Sequence, residues 1–280
     1  MSESTTARIL VIGATGTVGK PLVSELYRTG HQVRAGYRAH PLNSPGIQDV
    51  PIDVVTGAGL DAALQGIKKL FLLTGDIADQ AHAEMRIVEM ARAAGVGHVV
   101  KLSAIGAEDP TFALGTLHRS VEQAIERSGM DYTFLRPNGF MQNFLTYYAK
   151  DIRDSRTLRL PCGDASMAFI DARDVALVAA RTLTEEGHGG KSYELSGPEA
   201  LTYARAISII SSELGIPMTF ENISGFEGPN ANSLPAKYPD VYRFYKSGKA
   251  SVVTGVVEDL TRRPARTFAA FARDFAWMLR

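Results

Sequence analysis

Cysteine is nearly missing: Cys162 stands alone among 280 residues, which excludes an internal disulfide framework and any multi-cysteine metal site. Its plainest reading is an ordinary core thiol in a protein of a reducing compartment. Net charge is missing too. Lys plus Arg total 30 and so do Asp plus Glu, so no bulk positive field draws the chain to nucleic acid or an anionic membrane. The histidines, at positions 31, 40, 82, 98, 118 and 188, contain no His-x-x-x-His pair, and no metal site is expected. No apolar run reaches the roughly 18 residues of a membrane span. The short polar stretch from Met1 to Ala7 lacks the basic-then-apolar layout of a secretion signal. There is no low-complexity tract and no repeat of solenoid period. A cytoplasmic protein with small-molecule partners is the expectation, and nothing in the composition bars a homodimer.

What is present is an alternation. Short apolar runs, expected as strands at Arg8 to Ile12, Gln32 to Tyr37, Lys69 to Leu73, His98 to Leu102 and Tyr132 to Leu135, are separated by segments of helical period. Helices are expected from Val18 to Arg28, Asp79 to Ala94 and Thr116 to Ser128, stopped by Gly30, Gly95 and Gly129 in turn. That pattern predicts an α/β fold, a Rossmann-type doubly wound parallel sheet. After Pro137 the alternation weakens. An aromatic helix near Phe140 to Tyr148, a strand at Ala168 to Ile170, a helix from Ala172 and a last helix from Pro264 to Leu279 are expected there, with a long loop over Gly225 to Pro239. Residues 1–150, joined by 167–185, are therefore expected to form the nucleotide-binding domain, and 151–280 a smaller α+β region that holds the substrate.

The run Ile9-Leu10-Val11-Ile12-Gly13-Ala14-Thr15-Gly16-Thr17-Val18-Gly19 sets three glycines three residues apart, directly after a strand and at the opening of a helix. Gly13 permits a sharp turn, Gly16 lets backbone approach a pyrophosphate, and Gly19 lets the helix pack close to the sheet. Amides of the helix start then face the anion, so Gly13, Thr15, Gly16, Thr17, Val18 and Gly19 are candidate dinucleotide contacts. No Lys-Ser/Thr pair follows the glycines, which argues against a nucleoside triphosphate loop. The end of the second strand, where an acid would accept the ribose hydroxyl of NAD, has none: from Leu26 to Gln48 there is no Asp or Glu, whereas Arg34, Arg38 and His40 are basic. Arg38 lies nearer the carboxyl end of the strand than Arg34 and is the better candidate for a 2′-phosphate, so NADP(H) is favoured over NAD. A solvated surface arginine is the alternative.

Catalysis is harder to place. Ser103 stands just past the fifth strand, where short-chain dehydrogenases keep a serine, but their Tyr-x-x-x-Lys pair is replaced in the next helix by His118-Arg119-Ser120-Val121-Glu122. The literal matches Tyr242 to Lys246 and Tyr245 to Lys249 fall far down the chain and read as coincidental. Asp171 and Asp174, at a strand-to-helix junction, read as a helix cap and a dipole-complementing acid rather than a catalytic pair. The aromatics Phe140, Phe144, Tyr147, Tyr148, Tyr242, Phe244 and Tyr245 could wall a pocket, although core packing is the commoner use.

Taken together, the segments Gly13 to Gly19, Arg38, Leu73-Thr74-Gly75, Leu102-Ser103-Ala104, Ser128-Gly129, Tyr132-Thr133, Leu135-Arg136-Pro137-Asn138, Asn143, Asp171 with Asp174-Val175-Ala176, and Arg263 to Phe268 resemble the NmrA-like family of atypical short-chain dehydrogenases. The resemblance covers nearly the whole chain. It implies an NADP(H)-binding protein whose loops Leu73, Thr74, Gly75 and Asn138, Gly139, Phe140 line the nicotinamide half of the cofactor, with Ser103 as a hydrogen-bond donor. Asp53, after the presumed third strand, would contact adenine or simply cap a turn. His118 is a candidate proton donor, since histidine titrates near neutrality. The family includes NADPH:quinone reductases, triphenylmethane-dye reductases and redox-sensing regulators. The expected activity is hydride transfer to a quinone-like, enone or polycyclic aromatic acceptor. A non-catalytic NADP(H) sensor is the alternative, and an isomerase a third reading.

Overall fold

A computed structural model describes residues 9–75, 77–224 and 240–280. The expected loop over Gly225 to Pro239, and Arg8 of the first expected strand, lie outside the described residues. In chain order the elements of the first half are β1 (Ile9–Val11), α1 (Gly19–Arg28), β2 (Val33–Tyr37), β3 (Gln48–Pro51), α2 (Leu60–Leu64), β4 (Lys69–Leu72), α3 (Gln80–Ala93), β5 (His98–Leu102), α4 (Ala113–Ser128) and β6 (Asp131–Pro137). Then come α5 (Ala149–Ser155), β7 (Thr157–Leu160), β8 (Ser166–Met167), α6 (Ala172–Thr184), β9 (Lys191–Leu195), β10 (Leu201–Thr202), α7 (Tyr203–Leu214) and β11 (Thr219–Asn222).

The described residues divide between two compact units. The first takes in the described residues up to Ser103, with Leu117–Arg136 and Val175–Tyr193; the second takes in Ala104–Thr116, Pro137–Asp174 and the described residues from Glu194 onward. The first unit is built on a sheet in the order β3-β2-β1-β4-β5-β6-β9, of which β3 through β6 pair in parallel. Leu10 lies between Arg34 and Leu70, which fixes the register of the three central strands. Buried strands read as unbroken apolar runs because both faces are covered. Leu10, Ile12, Leu70, Leu72 and Val99 of the sheet pack against Ile87, Val88, Val121 and Ile125 of α3 and α4. Each such side chain, fully buried, contributes about 1.5–3 kcal/mol of transfer free energy. The order of the strands reverses at β1 and β4, and the crevice beyond their carboxyl ends is where such sheets take ligands.

The second unit departs from several expectations. The aromatic segment near Phe140 to Tyr148 is one 3-10 turn, Met141–Leu145, in which Asn143 and Phe140 close short backbone bonds, and a helix proper begins only at Ala149. The expected strand at Ala168 to Ile170 is instead β8, two residues earlier, and Ile170 forms an isolated bridge with Phe140. The last helix starts at Phe268 rather than Pro264, because the Thr267 hydroxyl accepts from the Ala270 amide and sets the cap there. α4 begins at Ala113, three residues before Thr116, where the Asp240 carboxylate accepts from the Ala113 amide at 2.6 Å. The unit's core is aromatic: Phe144 meets Tyr148, Phe169, Tyr203 and Phe268 at ring separations of 5.1–5.9 Å.

Candidate functional site

β1 ends in a glycine turn whose form each glycine enforces. Gly13 has φ +78°, and a Cβ there would stand 2.5 Å from the Leu73 carbonyl oxygen, so the loop after β4 lies directly against the turn. A Cβ on Gly19 would overlap the Gly13 carbonyl and Ala14, which only glycine avoids as the helix starts. The Gly16 amide donates to Gly13 at 3.0 Å, and no side chain caps α1 at Val18. Thr15, Gly16 and Thr17 are exposed while Ala14, Val18 and Gly19 are buried. The result is a solvent-facing backbone bend followed by an uncapped helix start, a donor set suited to a diphosphate.

The arginines in and just after β2 have separate employment. Arg34 is buried; its guanidinium donates to the carbonyls of Ala62, Ala63 and Gln65 and to Gln48. Arg38 is exposed just past the carboxyl end of the strand. Asp53 caps a turn: its carboxylate accepts from the Val55 amide at 2.8 Å and the Thr56 amide at 3.4 Å. Those bonds, the Val55 one foremost, hold its carboxyl below the usual range, with Arg38 adding a smaller pull.

Past β4, Thr74 is buried and Gly75 exposed. Past β5, Ser103 is buried and donates to Glu122 at 2.7 Å; the same carboxylate accepts two bonds from Arg136 and one from Arg119. Burial would raise the Glu122 pKa, but these donors outweigh it and hold the group ionised. His118 is buried as well, with no partner for Nδ1. Burial foremost, then the Lys101 ammonium, push its pKa down to about 3, against the opposing pull of Glu84 and Glu122. The histidine is therefore neutral throughout the physiological range, not poised near neutrality as its residue type suggests.

In the second unit Asn138 is committed to the fold: its side-chain amide donates to Ala250 at 2.7 Å and its oxygen accepts from the Gly139 amide at 2.8 Å. Gly139 and Phe140 follow, half-buried, leading into the bridge to Ile170. Asp171 caps α6 at the Arg173 amide and pairs with the Arg173 guanidinium and Gln142. Asp174 receives Arg266, by both its backbone amide and its guanidinium. Tyr242, Phe244 and Tyr245 sit in the aromatic core with Phe144 and Tyr148, while Tyr147 is only half-buried. Cys162 is buried in that same core, where burial pushes its thiol up to about 12.

Sequence reasoning passed over Lys101 and Glu84, and named Glu122 and Arg136 only within longer runs, without a role of their own. A signal existed for the first two. Lys101 interrupts the apolar run His98-Val99-Val100-Lys101-Leu102 of a fully buried strand, and Glu84 shares the inward face of α3 with Gln80, Ile87, Val88 and Ala91. A charge in either place demands a buried partner.

The model of the NmrA-like family matches residues 5–238. The chain belongs to that family. Among its relatives is an NAD(P)H azoreductase of Xenophilus azovorans, 34% identical over 96% of this chain and 98% of that protein. Another is a (4-alkanoyl-5-oxo-2,5-dihydrofuran-3-yl)methyl phosphate reductase of Streptomyces griseus, 38% identical over 96% of this chain and 98% of its own length. Among solved structures, the NADPH-dependent quinone oxidoreductase QOR2 of Escherichia coli, complexed with NADPH, superposes with a TM-score of 0.82 at 28% identity, covering 95% of this NmrA-like chain and 99% of QOR2. Among the described residues no helix is long and apolar enough to cross a membrane, and no cluster of His, Cys, Asp or Glu could hold a metal.

Proposed function

We propose that this chain is an NADPH-dependent reductase of the atypical short-chain dehydrogenase type, acting on a conjugated acceptor: a quinone-like, enone, azo or polycyclic aromatic compound. The observation that carries the reading is the exposed Thr15–Thr17 bend ahead of an uncapped helix, in a family whose relatives of 34% and 38% identity bear reductase names. When bound, the dinucleotide supplies a hydride. The protein's own residues hold and orient it. Gly13, Thr15, Gly16, Thr17, Val18 and Gly19 offer backbone to the diphosphate; Arg38 takes the 2′-phosphate; Leu73, Thr74 and Gly75 flank the nicotinamide half. Asp53 shapes the adenine end through the turn it caps.

Neutral His118 is no imidazolium acid. Its part is to donate a hydrogen bond from an uncharged ring, and the proton that completes reduction comes from water, which suits an acceptor activated by conjugation. Ser103 keeps Glu122 in place. The protein works in the cytoplasm as a soluble enzyme, a homodimer being its simplest assembly. Loss of reduced-nicotinamide absorbance against a panel of quinones, azo dyes and enones, run beside a calorimetric titration of NADPH, tests the proposal. Turnover with at least one class supports it. Tight binding without turnover anywhere on the panel would instead favour a redox sensor.

A further inference from the structure

Beside the glycine turn lies a buried polar group that the reading above does not use. Lys101 and Glu84 are both excluded from solvent, with Nζ 2.5 Å from Oε2. The other carboxylate oxygen, Oε1, accepts from the Thr74 hydroxyl at 2.6 Å and from the Gln80 amide at 3.1 Å. Burial works to protonate Glu84, but the Lys101 ammonium foremost, with the hydrogen bonds from Lys101 and Thr74, keeps its pKa below the usual range. An ionised carboxylate has no proton to give. The single hydroxyl proton of Thr74 is therefore spent on Glu84, and toward any other group Thr74 can only accept. Leu73, the residue before it, is the one whose carbonyl lies against Gly13.

A buried ion pair is a costly way to fill a core, since an apolar pair of similar volume serves stability as well or better. What an apolar pair cannot do is orient a hydroxyl. We propose that Glu84, held in place by Lys101, is a specificity-determining positioning residue: by taking the Thr74 proton it makes that threonine a pure acceptor, which recognises a hydrogen-bond donor on the nicotinamide half of the cofactor. Two donors there fit, the carboxamide N–H₂ and a ribose hydroxyl. The inference rests on the cofactor reading above and adds a residue to it. Its consequence is that the recognition has a polarity, and the polarity is reversible by an isosteric change.

Glu84→Gln supplies the reversal. Facing an ammonium that only donates, the new amide turns its oxygen to Lys101 and its N–H₂ to Thr74, and Gln80 flips to match. Thr74 then accepts from that introduced amide and points its own proton outward. Full-length wild-type and variant proteins are titrated calorimetrically with NADP⁺, with its 3-acetylpyridine analogue, which replaces the carboxamide donor by a methyl ketone, and with adenosine 2′,5′-bisphosphate, which lacks the nicotinamide half. The expected result is that Glu84→Gln weakens NADP⁺ about tenfold and leaves the bisphosphate unchanged. If the carboxamide is the donor, the variant narrows or inverts the wild-type preference for NADP⁺ over the analogue; if a ribose hydroxyl is, both dinucleotides weaken alike. Should Glu84→Gln fail to fold, Thr74→Val carries the same expectation, with Thr74→Ser restoring binding. NADP⁺ binding unaltered in the variants, or a loss shared equally by the bisphosphate, overturns the inference while leaving the cofactor reading intact. A wild-type protein that binds none of the three ligands overturns both.

Discussion

Arg34 donates to the carbonyl oxygen of Ala63 at 2.7 Å, and the same nitrogen reaches Gln65 at 3.0 Å, so this arginine closes the end of α2. Of the two arginines in and after β2, Arg38 is thus the one proposed for the 2′-phosphate. Arg38→Ala should raise the Kd for NADPH about 10- to 100-fold, the worth of a charge-assisted bidentate contact, with little change for NADH. Arg34→Ala should do the opposite. It leaves buried carbonyls unpaired, costing about 1–3 kcal/mol in urea unfolding, and leaves the NADPH to NADH ratio where it was. Equal loss of both nucleotides in Arg38→Ala would refute the assignment.

Within the glycine turn Gly16 and Gly19 differ in what they tolerate. A methyl on Gly19 collides with the backbone of Gly13 and Ala14, which cannot rotate away, so Gly19→Ala should lower stability by about 1–3 kcal/mol as well as abolish nucleotide binding. Gly16 is exposed, and its added Cβ would meet only the Gly13 carbonyl, at 3.2 Å. Gly16→Ala should therefore keep a near-normal melting temperature while the Kd for NADPH rises at least about tenfold, because the methyl stands where the proposed diphosphate contact is made. Thermal melts with and without NADPH separate the two effects.

This contrast marks how far the sequence can be read. β5 falls on the residues its apolar run predicts, and β1, β2 and β4 come within a residue or two, because parallel strands covered on both faces have no polar alternation to confuse. β3, by contrast, reads Gln-Asp-Val-Pro and lies at the sheet edge, where neither apolar composition nor a full set of amides is required. The glycine turn was legible since glycine's role is local. The employment of Arg34, the burial of His118 and the Glu84–Lys101 pair were not, because each is decided by residues far away in the chain. In the second unit, Thr202 caps α7 and Gly215 ends it, both local signals, whereas the aromatic segment after Phe140 has a helical composition yet closes only a 3-10 turn.

His118 gives the fold a pH dependence of known sign. Its folded pKa of about 3 lies below the ordinary value of 6.5, so the unfolded chain binds the extra proton between those limits. The contribution is complete above pH 6.5 and fades as pH falls toward 3, a loss on the order of a few kcal/mol. Lys101, Glu84 and Glu122 face the ring; the depressed pKa values of Glu84 and Glu122 make their stabilisation fade in acid too. His118→Gln should therefore flatten, though not abolish, the acid limb of urea stability between pH 4 and 6.5. In turnover, a neutral histidine predicts a kcat without a limb near pH 6.5. A limb there that vanishes in His118→Gln would restore the imidazolium as proton donor.

The Glu84–Lys101 pair makes the last prediction, and it is one of non-additivity. Lys101→Met removes the ammonium paired with a carboxylate that is sealed from water, so the variant must bury an uncompensated charge or protonate Glu84; a loss of about 3–5 kcal/mol is expected. Adding Glu84→Met to that background removes the orphaned charge and fills the volume with unbranched apolar side chains, so the double variant should recover to within about 1 kcal/mol of wild type or exceed it. The Thr74 hydroxyl, relieved of its acceptor, would then have no fixed direction. The double variant therefore separates the two uses of the pair: urea midpoints near wild type together with weakened NADP⁺ binding mean that the charges are kept for the ligand, whereas stability that stays low in the double variant means that they are kept for the fold.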